Sequence, residues 1–398
     1  MKKKNILIIS ALFSLLILIG LFLFLNNRNI HIYEQVDVEN TTQLTLVGNL
    51  NIDLDTITSP YNMSSIEYIA ENNSIVFLNK SRQTIYWYDA NTGEIQYTTQ
   101  LNKEGDNGVG EINFFKVLKK DSIFVYAYKY GLMSIVDSKG NLVRKLGSFI
   151  AKDTLPKKYY GIPDLIFGEK IHLANDNIYT TCSSDLLEVP SDADSLNLPV
   201  VVIYNTSVGK LSAELGYPKL YTERSWGGAQ ATGAVYSELQ GDKLVLSFTM
   251  SPFLYVYDTK NKIVKRYYAG SGKAVKFESI TPKQSMEALG RIEHYLSNPT
   301  YEHIIYDPYR ACYYRMLLLP APLGDDIRNL VNKSEMIKRL VVIILDKDFN
   351  YIGETFFGDQ LYSNLDAFVS EKGLHLARLP FNQEDQLVYD IFIPEKVK

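Results

Sequence analysis

Residues 65–99 read SIEYIAENNSIVFLNKSRQTIYWYDANTGEIQYTT. Four short runs stand out in this stretch: Ile66-Glu67-Tyr68-Ile69, Ile75-Val76-Phe77-Leu78, Ile85-Tyr86-Trp87-Tyr88 and Ile95-Gln96-Tyr97-Thr98. Turn formers divide them, at Glu71-Asn72-Asn73, Lys80-Ser81-Arg82 and Asp89-Ala90-Asn91-Thr92-Gly93. β-Branched and aromatic side chains suit a pleated, half-buried backbone, while Asn, Asp and Gly let the chain reverse. The stretch therefore predicts a four-stranded antiparallel sheet, the size of one propeller blade.

The unit recurs after this stretch. Residues 112–147 repeat it as Asn113-Phe114-Phe115-Lys116-Val117, Ser122-Ile123-Phe124-Val125-Tyr126, Leu132-Met133-Ser134-Ile135-Val136 and Leu142-Val143-Arg144-Lys145-Leu146. An apolar third strand ending in Asp or Asn marks each copy, at Asp89, Asp137, Asn205, Asp258 and Asp346. Such a side chain can cap backbone N–H groups two residues on. Five corners at irregular spacing predict five blades carrying insertions. A sixth is expected from the two ends of the chain, where Ala367-Phe368-Val369, the run 374–378 and the run 387–393 need a fourth strand from 43–54. Closing the ring this way removes an open sheet edge. The expected fold is all-β, a six-bladed β-propeller over 43–398, with seven blades or a pair of sandwiches as the alternatives.

Two insertions break the β pattern. Thr281-Pro282 followed by Met286, Leu289, Ile292 and Leu296 predicts a capped helix with one apolar stripe. A weaker helical stretch falls within 323–340, around Ile327, Leu330, Val331 and Ile337.

The N-terminus gives an address. Lys2-Lys3-Lys4 precede an uncharged run at 6–25, which as a helix spans roughly 30 Å, the thickness of a hydrocarbon core. No small-residue cleavage site follows it, and the first cysteine is Cys182, far too late for lipidation. Residues 1–28 are expected to be a cytoplasmic tip and an uncleaved signal anchor, with a cleaved signal peptide as the alternative. Residues 29–42 then form a linker, and the positive-inside rule puts the body outside the cytoplasm. On this reading the protein is single-pass, on the periplasmic side of the inner membrane in a Gram-negative cell.

Charge narrows the partners. The chain has 41 basic and 45 acidic residues among 398; with Lys2, Lys3, Lys4 and Arg28 set aside, 37 basic residues face 45 acidic ones. A body at −8 does not suit nucleic acid, which needs a dense basic face. Cys182 and Cys312 are expected to be two buried thiols, although a single disulfide is the other possibility in an oxidising compartment. Six N-x-S/T triplets, at Asn40, Asn62, Asn72, Asn79, Asn205 and Asn332, would be incidental in a bacterium.

Several phrases resemble a known family. Lys103-Glu104-Gly105-Asp106-Asn107-Gly108-Val109-Gly110 with Asp121-Ser122-Ile123-Phe124-Val125 is one. Others are the run 244–248 with Leu254-Tyr255-Val256-Tyr257-Asp258, and the run 304–310 with Tyr313-Tyr314-Arg315. Together they resemble an uncharacterised family of six-bladed-propeller lipoproteins common in Bacteroidetes, a domain of unknown function. The resemblance covers about 65–393. It implies a propeller exported to the envelope and passes on no catalytic residue. This chain departs from it in lacking the lipidated cysteine, which favours the anchor.

No motif for chemistry emerges. His31, His172, His294, His303 and His375 form no metal-binding spacing, and there is no G-x-S-x-G elbow around Ser225. The glycine-rich stretch 105–110 matches neither a phosphate loop nor a calcium loop and is expected to be a tight crossing between blades. No metal or cofactor is expected. The candidate binding residues are Arg224 and Trp226, which precedes a glycine pair, and Asp307, Tyr309, Arg310, Tyr314 and Arg315, because Trp, Tyr and Arg anchor partners well. Their bland alternative is a β-turn at Asp307-Pro308 and cross-strand aromatic pairing beyond it. The functional expectation is a non-catalytic module binding a protein, peptide or glycan. An envelope hydrolase or lyase acting at one mouth of the channel is the alternative.

Overall fold

The computed structural model describes residues 30–32, 38–55, 58–59, 63–149, 170–182, 199–223, 226, 235–273, 276–321, 338–358, 361–379 and 385–397. The expected signal anchor, Arg224 and the expected second helical stretch up to residue 337 lie outside the described residues. Among those described, no helix is long and apolar enough to cross a membrane.

Two strands open the chain, β1 (Ile30–Ile32) and β2 (Thr42–Asp53). The quoted stretch forms β3 (Met63–Ile69), β4 (Ser74–Asn79), β5 (Thr84–Asp89) and β6 (Ile95–Gln100), one antiparallel sheet in that order. β4 is buried along its whole length, from Ser74 through Ile75, Val76, Phe77 and Leu78 to Asn79. Each such aliphatic or aromatic side chain stabilises the fold by about 1.5–3 kcal/mol. The second sheet is β7 (Phe114–Lys119), β8 (Ser122–Ala127), β9 (Leu132–Val136) and β10 (Leu142–Ser148). A third contains β11 (Ile171–Ala174), β12 (Asn177–Thr181), β13 (Pro199–Asn205) and β14 (Lys210–Gly216), and a short helix α1 (Lys219–Glu223) follows. The fourth is β15 (Val235–Gln240), β16 (Lys243–Phe248), β17 (Phe253–Asp258) and β18 (Ile263–Tyr268).

Beyond it come β19 (Lys276–Glu278), which pairs antiparallel with β1, and two helices, α2 (Pro282–Met286) and α3 (Ala288–Ser297). The remaining strands are β20 (Thr300–Asp307), β21 (Cys312–Leu319), β22 (Arg339–Asp346), β23 (Tyr351–Phe356), β24 (Tyr362–Ser370), β25 (Gly373–Arg378) and β26 (Gln386–Lys396). They form one eight-stranded sheet with β2, in the order β20-β21-β22-β23-β2-β26-β25-β24. Its two halves meet through a single parallel pair, Thr42 with Gly353, whereas β2 runs antiparallel along the whole of β26. The fold is all-β and propeller-like, with four four-stranded sheets and this eight-stranded one.

First strands adjoin one another around most of the ring: β24 lies against β3, β3 against β7, β15 against β20, and β20 against β24. β11 joins β15 through a hydrogen bond between His172 Nε2 and Ser237 Oγ, 2.9 Å apart.

The two ends of the ring differ. Turns after the first and third strands of each sheet leave from one end and are five residues or fewer. Connections after the second and fourth strands leave from the other, among them 101–113, 149–170, 182–198, 217–234, 269–299 and 320–338. The corners explain the short turns. Asp89 Oδ1 accepts from the N–H groups of Asn91 and Thr92 at 2.8 and 3.0 Å, and Asp137, Asn205, Asp258 and Asp346 repeat the device. These local bonds satisfy backbone donors that the reversal would leave unpaired.

The stretch 105–110 is a crossing between the first two sheets. Gly105 and Gly110 adopt φ of +87° and +83°, and Val109 and Gly110 donate back to the carbonyls of Asn102 and Lys103. Cys182 and Cys312 are both buried thiols and are not joined in a disulfide.

The expected helix at 281–297 needs correction. Thr281 caps it through a capping box with Gln284, as its sequence suggests. Glu287, however, is extended (φ −102°, ψ 126°), so the helix breaks into α2 and α3. The break turns Met286 outward, 80% exposed, and Leu289 stays 43% exposed, while Gly290, His294 and Leu296 face the core.

Candidate functional site

Four of the sheets carry a polar residue at one register position of their first strand. It is the third pair counted from the hairpin turn: Glu67 opposite Val76, Lys116 opposite Phe124, His172 opposite Tyr179 and Glu238 opposite Val245. First strands surround the axis, so equivalent positions on successive strands become neighbours. Glu67 Oε1 lies 3.1 Å from Lys116 Nζ, and Glu67 Oε2 accepts from the Val117 N–H at 2.9 Å. Lys170, just before β11, places Nζ 2.8 Å from Glu238 Oε2. At the corresponding position β20 and β24 carry Ile305 and Phe368, so one side of the ring is polar and the other apolar.

The polar groups are packed yet wetted. The side chains of Lys116 and Lys170 keep 36% and 35% exposure. Glu67 raises the pKa of Lys116 despite the opposing effect of burial, so the ammonium is retained. Burial pushes His172 well below its ordinary value, with Lys116 and Lys170 adding to the effect. Burial likewise brings His303 down to about 3, with Lys170 contributing. Both imidazoles are neutral at pH 7. His303 packs at a tilt against Tyr236 with ring centroids 4.4 Å apart, and its Nε2 is buried without a hydrogen-bond partner. Among the described residues, no group of His, Cys, Asp or Glu is arranged to hold a metal ion. The arrangement offers two partly exposed ion pairs to a polar ligand, while the two neutral imidazoles are buried beside them.

The candidates named from sequence do not form one face. Trp226 is fully buried, and its indole N–H donates to the Leu220 carbonyl at 3.2 Å. Arg315 is also fully buried: its Nε donates to Ser247 Oγ at 3.0 Å, Nη1 to the Ala269 carbonyl at 3.1 Å and Nη2 to the Ser251 carbonyl at 2.8 Å. The guanidinium lies 4.0 Å over the Tyr301 ring, and burial lowers its pKa to about 10. It ties β21 to the neighbouring sheet at the long-connection end and has no surface for a partner.

The rest sit at the short-turn end. Asp307 is a sixth Asx corner, accepting from the N–H groups of Tyr309 and Arg310 at 2.9 and 3.0 Å, and Tyr314 donates its hydroxyl to Asp307 at 2.8 Å. Arg310 donates to Asp307 at 3.1 Å and to the Glu371 carbonyl at 2.8 Å, bridging two hairpins. Tyr313 packs at a tilt against Tyr306 across the strands, with ring centroids 4.8 Å apart. Asp307 and Tyr314 are buried, so of the described candidates only Tyr309 and Arg310 reach solvent.

Sequence reading missed the axial residues. Their signal is a lone charged or imidazole side chain inside an apolar run, at the same distance before each first hairpin, and it emerges only when the sheets are aligned on their turns.

Comparisons with known proteins agree with this architecture. The profile of the Domain of unknown function (DUF4221) matches residues 41–356. The crystal structure of a DUF4221 member from Bacteroides vulgatus aligns with a TM-score of 0.72 at 22% identity, covering 90% of this chain and 100% of that one. A Bacteroides fragilis protein described as exported aligns at 0.51 and 10% identity, covering 92% of this chain and 98% of that one. At such identities the likeness carries the fold alone. No curated protein matches the chain. With most of its length matched by the family profile and its sheets matched by a solved member, this chain belongs to the DUF4221 family.

Proposed function

We propose that the protein is a membrane-anchored, extracytoplasmic recognition propeller that binds a polar ligand, part of a protein, peptide or glycan, at its axis. Its eight-stranded sheet counts as two blades joined at Thr42 and Gly353, giving six in all. The observation that carries the reading is the axial cluster of Glu67, Lys116, Lys170 and Glu238, brought together from successive first strands and still reached by water. Charged groups on a packed strand cost stability unless paired, and here the pairing leaves both lysines accessible.

A hydrolytic reading would rest on the Ser237–His172 hydrogen bond, an arrangement of nucleophile and neutral base. Ser237 is 2% exposed and His172 5%, so a scissile carbonyl has no path to the hydroxyl. Binding is therefore the reading preferred.

The test is a thermal-shift screen of the full chain in detergent against amino acids, dipeptides, neutral sugars and uronic acids. At least one class should raise the melting temperature of the wild type by several degrees and leave a folded Lys116→Met, Glu238→Gln variant unmoved. Equal shifts in both proteins, or none in either, would remove the axial site from consideration.

A further inference from the structure

We infer that the long-connection end of the ring rests on the lipid surface, with the helix pair α2–α3 as its contact. The inference depends on reading 6–25 as a retained anchor and goes beyond it by fixing which end faces the bilayer.

The chain outside the described residues stops at a defined place. β1 begins at Ile30 and pairs with β19 through Ile30 with Glu278, His31 with Phe277 and Ile32 with Lys276. β19 belongs to the connection between β18 and β20, at the long-connection end. It is held there by the Glu278 N–H donating to Asn298 Oδ1 at 2.6 Å, and by the Phe277 ring packed near Tyr301. The apolar run ends at Leu25, five residues before Ile30. Five residues reach at most about 17 Å, so the β1–β19 pair stays close to the headgroups. The opposite end cannot take its place without breaking that pair.

The surface beside this tether has matching chemistry. Met286 and Leu289, turned outward by the break at Glu287, are the exposed apolar residues of α2 and α3. Lys283 is exposed between them and the cap. A lysine ammonium next to apolar side chains suits an interface where the chain dips among headgroups while the charge meets lipid phosphate. The same orientation turns Tyr309 and Arg310, on the short-turn end, away from the bilayer.

The experiment uses the full chain reconstituted into phosphatidylethanolamine–phosphatidylglycerol vesicles that contain a headgroup-nitroxide lipid. Single labels are placed through Met286→Cys or Tyr309→Cys, the native thiols being buried. Quenching of the label at 286 should exceed that at 309 at least threefold, and Leu289→Asp should reduce it. If the protein floats with vesicles and the two labels quench equally, or 309 quenches more, the orientation is wrong while the anchor stands. Failure to float with vesicles would overturn both.

Discussion

Arg315 shows how a single residue can look like a binding anchor and act as a clamp. It lies in Tyr313-Tyr314-Arg315, a phrase that sequence alone reads as a partner surface, yet its guanidinium is spent on Ser247 and the carbonyls of Phe248, Ser251 and Ala269. Arg315→Met would take this donor from the buried Ser251 and Ala269 carbonyls, at a cost of about 3 kcal/mol, whereas the Phe248 carbonyl keeps the Ser251 N–H. Urea unfolding should show this as a lower midpoint with an unchanged slope; a stability within about 0.5 kcal/mol of wild type would contradict the clamp.

Histidines make the second residue-scale prediction. Burial pushes His303 and His375 to about 3 and His172 well below its ordinary value; Lys372 and Arg310 add to the effect at His375. The unfolded chain protonates its imidazoles near 6.5, so between about 6.5 and 3 the folded state binds fewer protons. Their contribution is complete above pH 6.5 and is lost as pH falls toward 3, by about 1.4 kcal/mol per unit for each histidine. Asp366, raised to about 6 by burial, and Glu354, also raised by burial, work the other way, gaining stability as pH falls. With His294, also lowered by burial, four imidazoles against two carboxyls leave a net loss. Thermal melts should fall steadily from pH 7 to 5, and His375→Gln, which can keep a hydrogen bond to Ser370, should flatten that slope. An unchanged slope in the variant would count against buried neutral imidazoles.

At the scale of elements, legibility followed the range of the physics involved. Strands and corners were readable because Asp89 and Asp137 act within a few residues of themselves. The capping box of Thr281 and Gln284 was readable for the same reason. The break at Glu287 was not, because a periodic pattern records spacing and not the backbone angles that packing imposes. The candidate site was the least legible part. Glu67 and Lys116 are 49 positions apart and meet only because two first strands adjoin, a relation that no local pattern encodes. Trp226 and Arg315 misled because large polar aromatics and arginines serve interiors as readily as surfaces when every donor is satisfied.

For the whole molecule, closure is the decisive event. β2 covers the flank of β26, whose Tyr389, Ile391 and Phe392 are buried, and reaches β23 at Gly353, where an added Cβ would meet the Thr42 carbonyl at 1.8 Å. A chain lacking residues 1–53 would expose that edge and should elute as aggregate in size-exclusion chromatography, whereas one lacking only 1–28 should elute as a folded species. Monomeric behaviour of the shorter chain would show that β2 is dispensable.

The place of β2 also imposes an order in time. Among the described strands of the ring β2 comes first along the chain, yet its partner β26 comes last. Thr42 to Asp53 must therefore remain unpaired until the other strands of the ring have been made, with Leu44, Leu50 and Ile52 uncovered until β26 arrives. A helper that shields nascent extended segments would meet this strand before any other of the ring, and the rate at which β26 emerges would set how long that shielding is required.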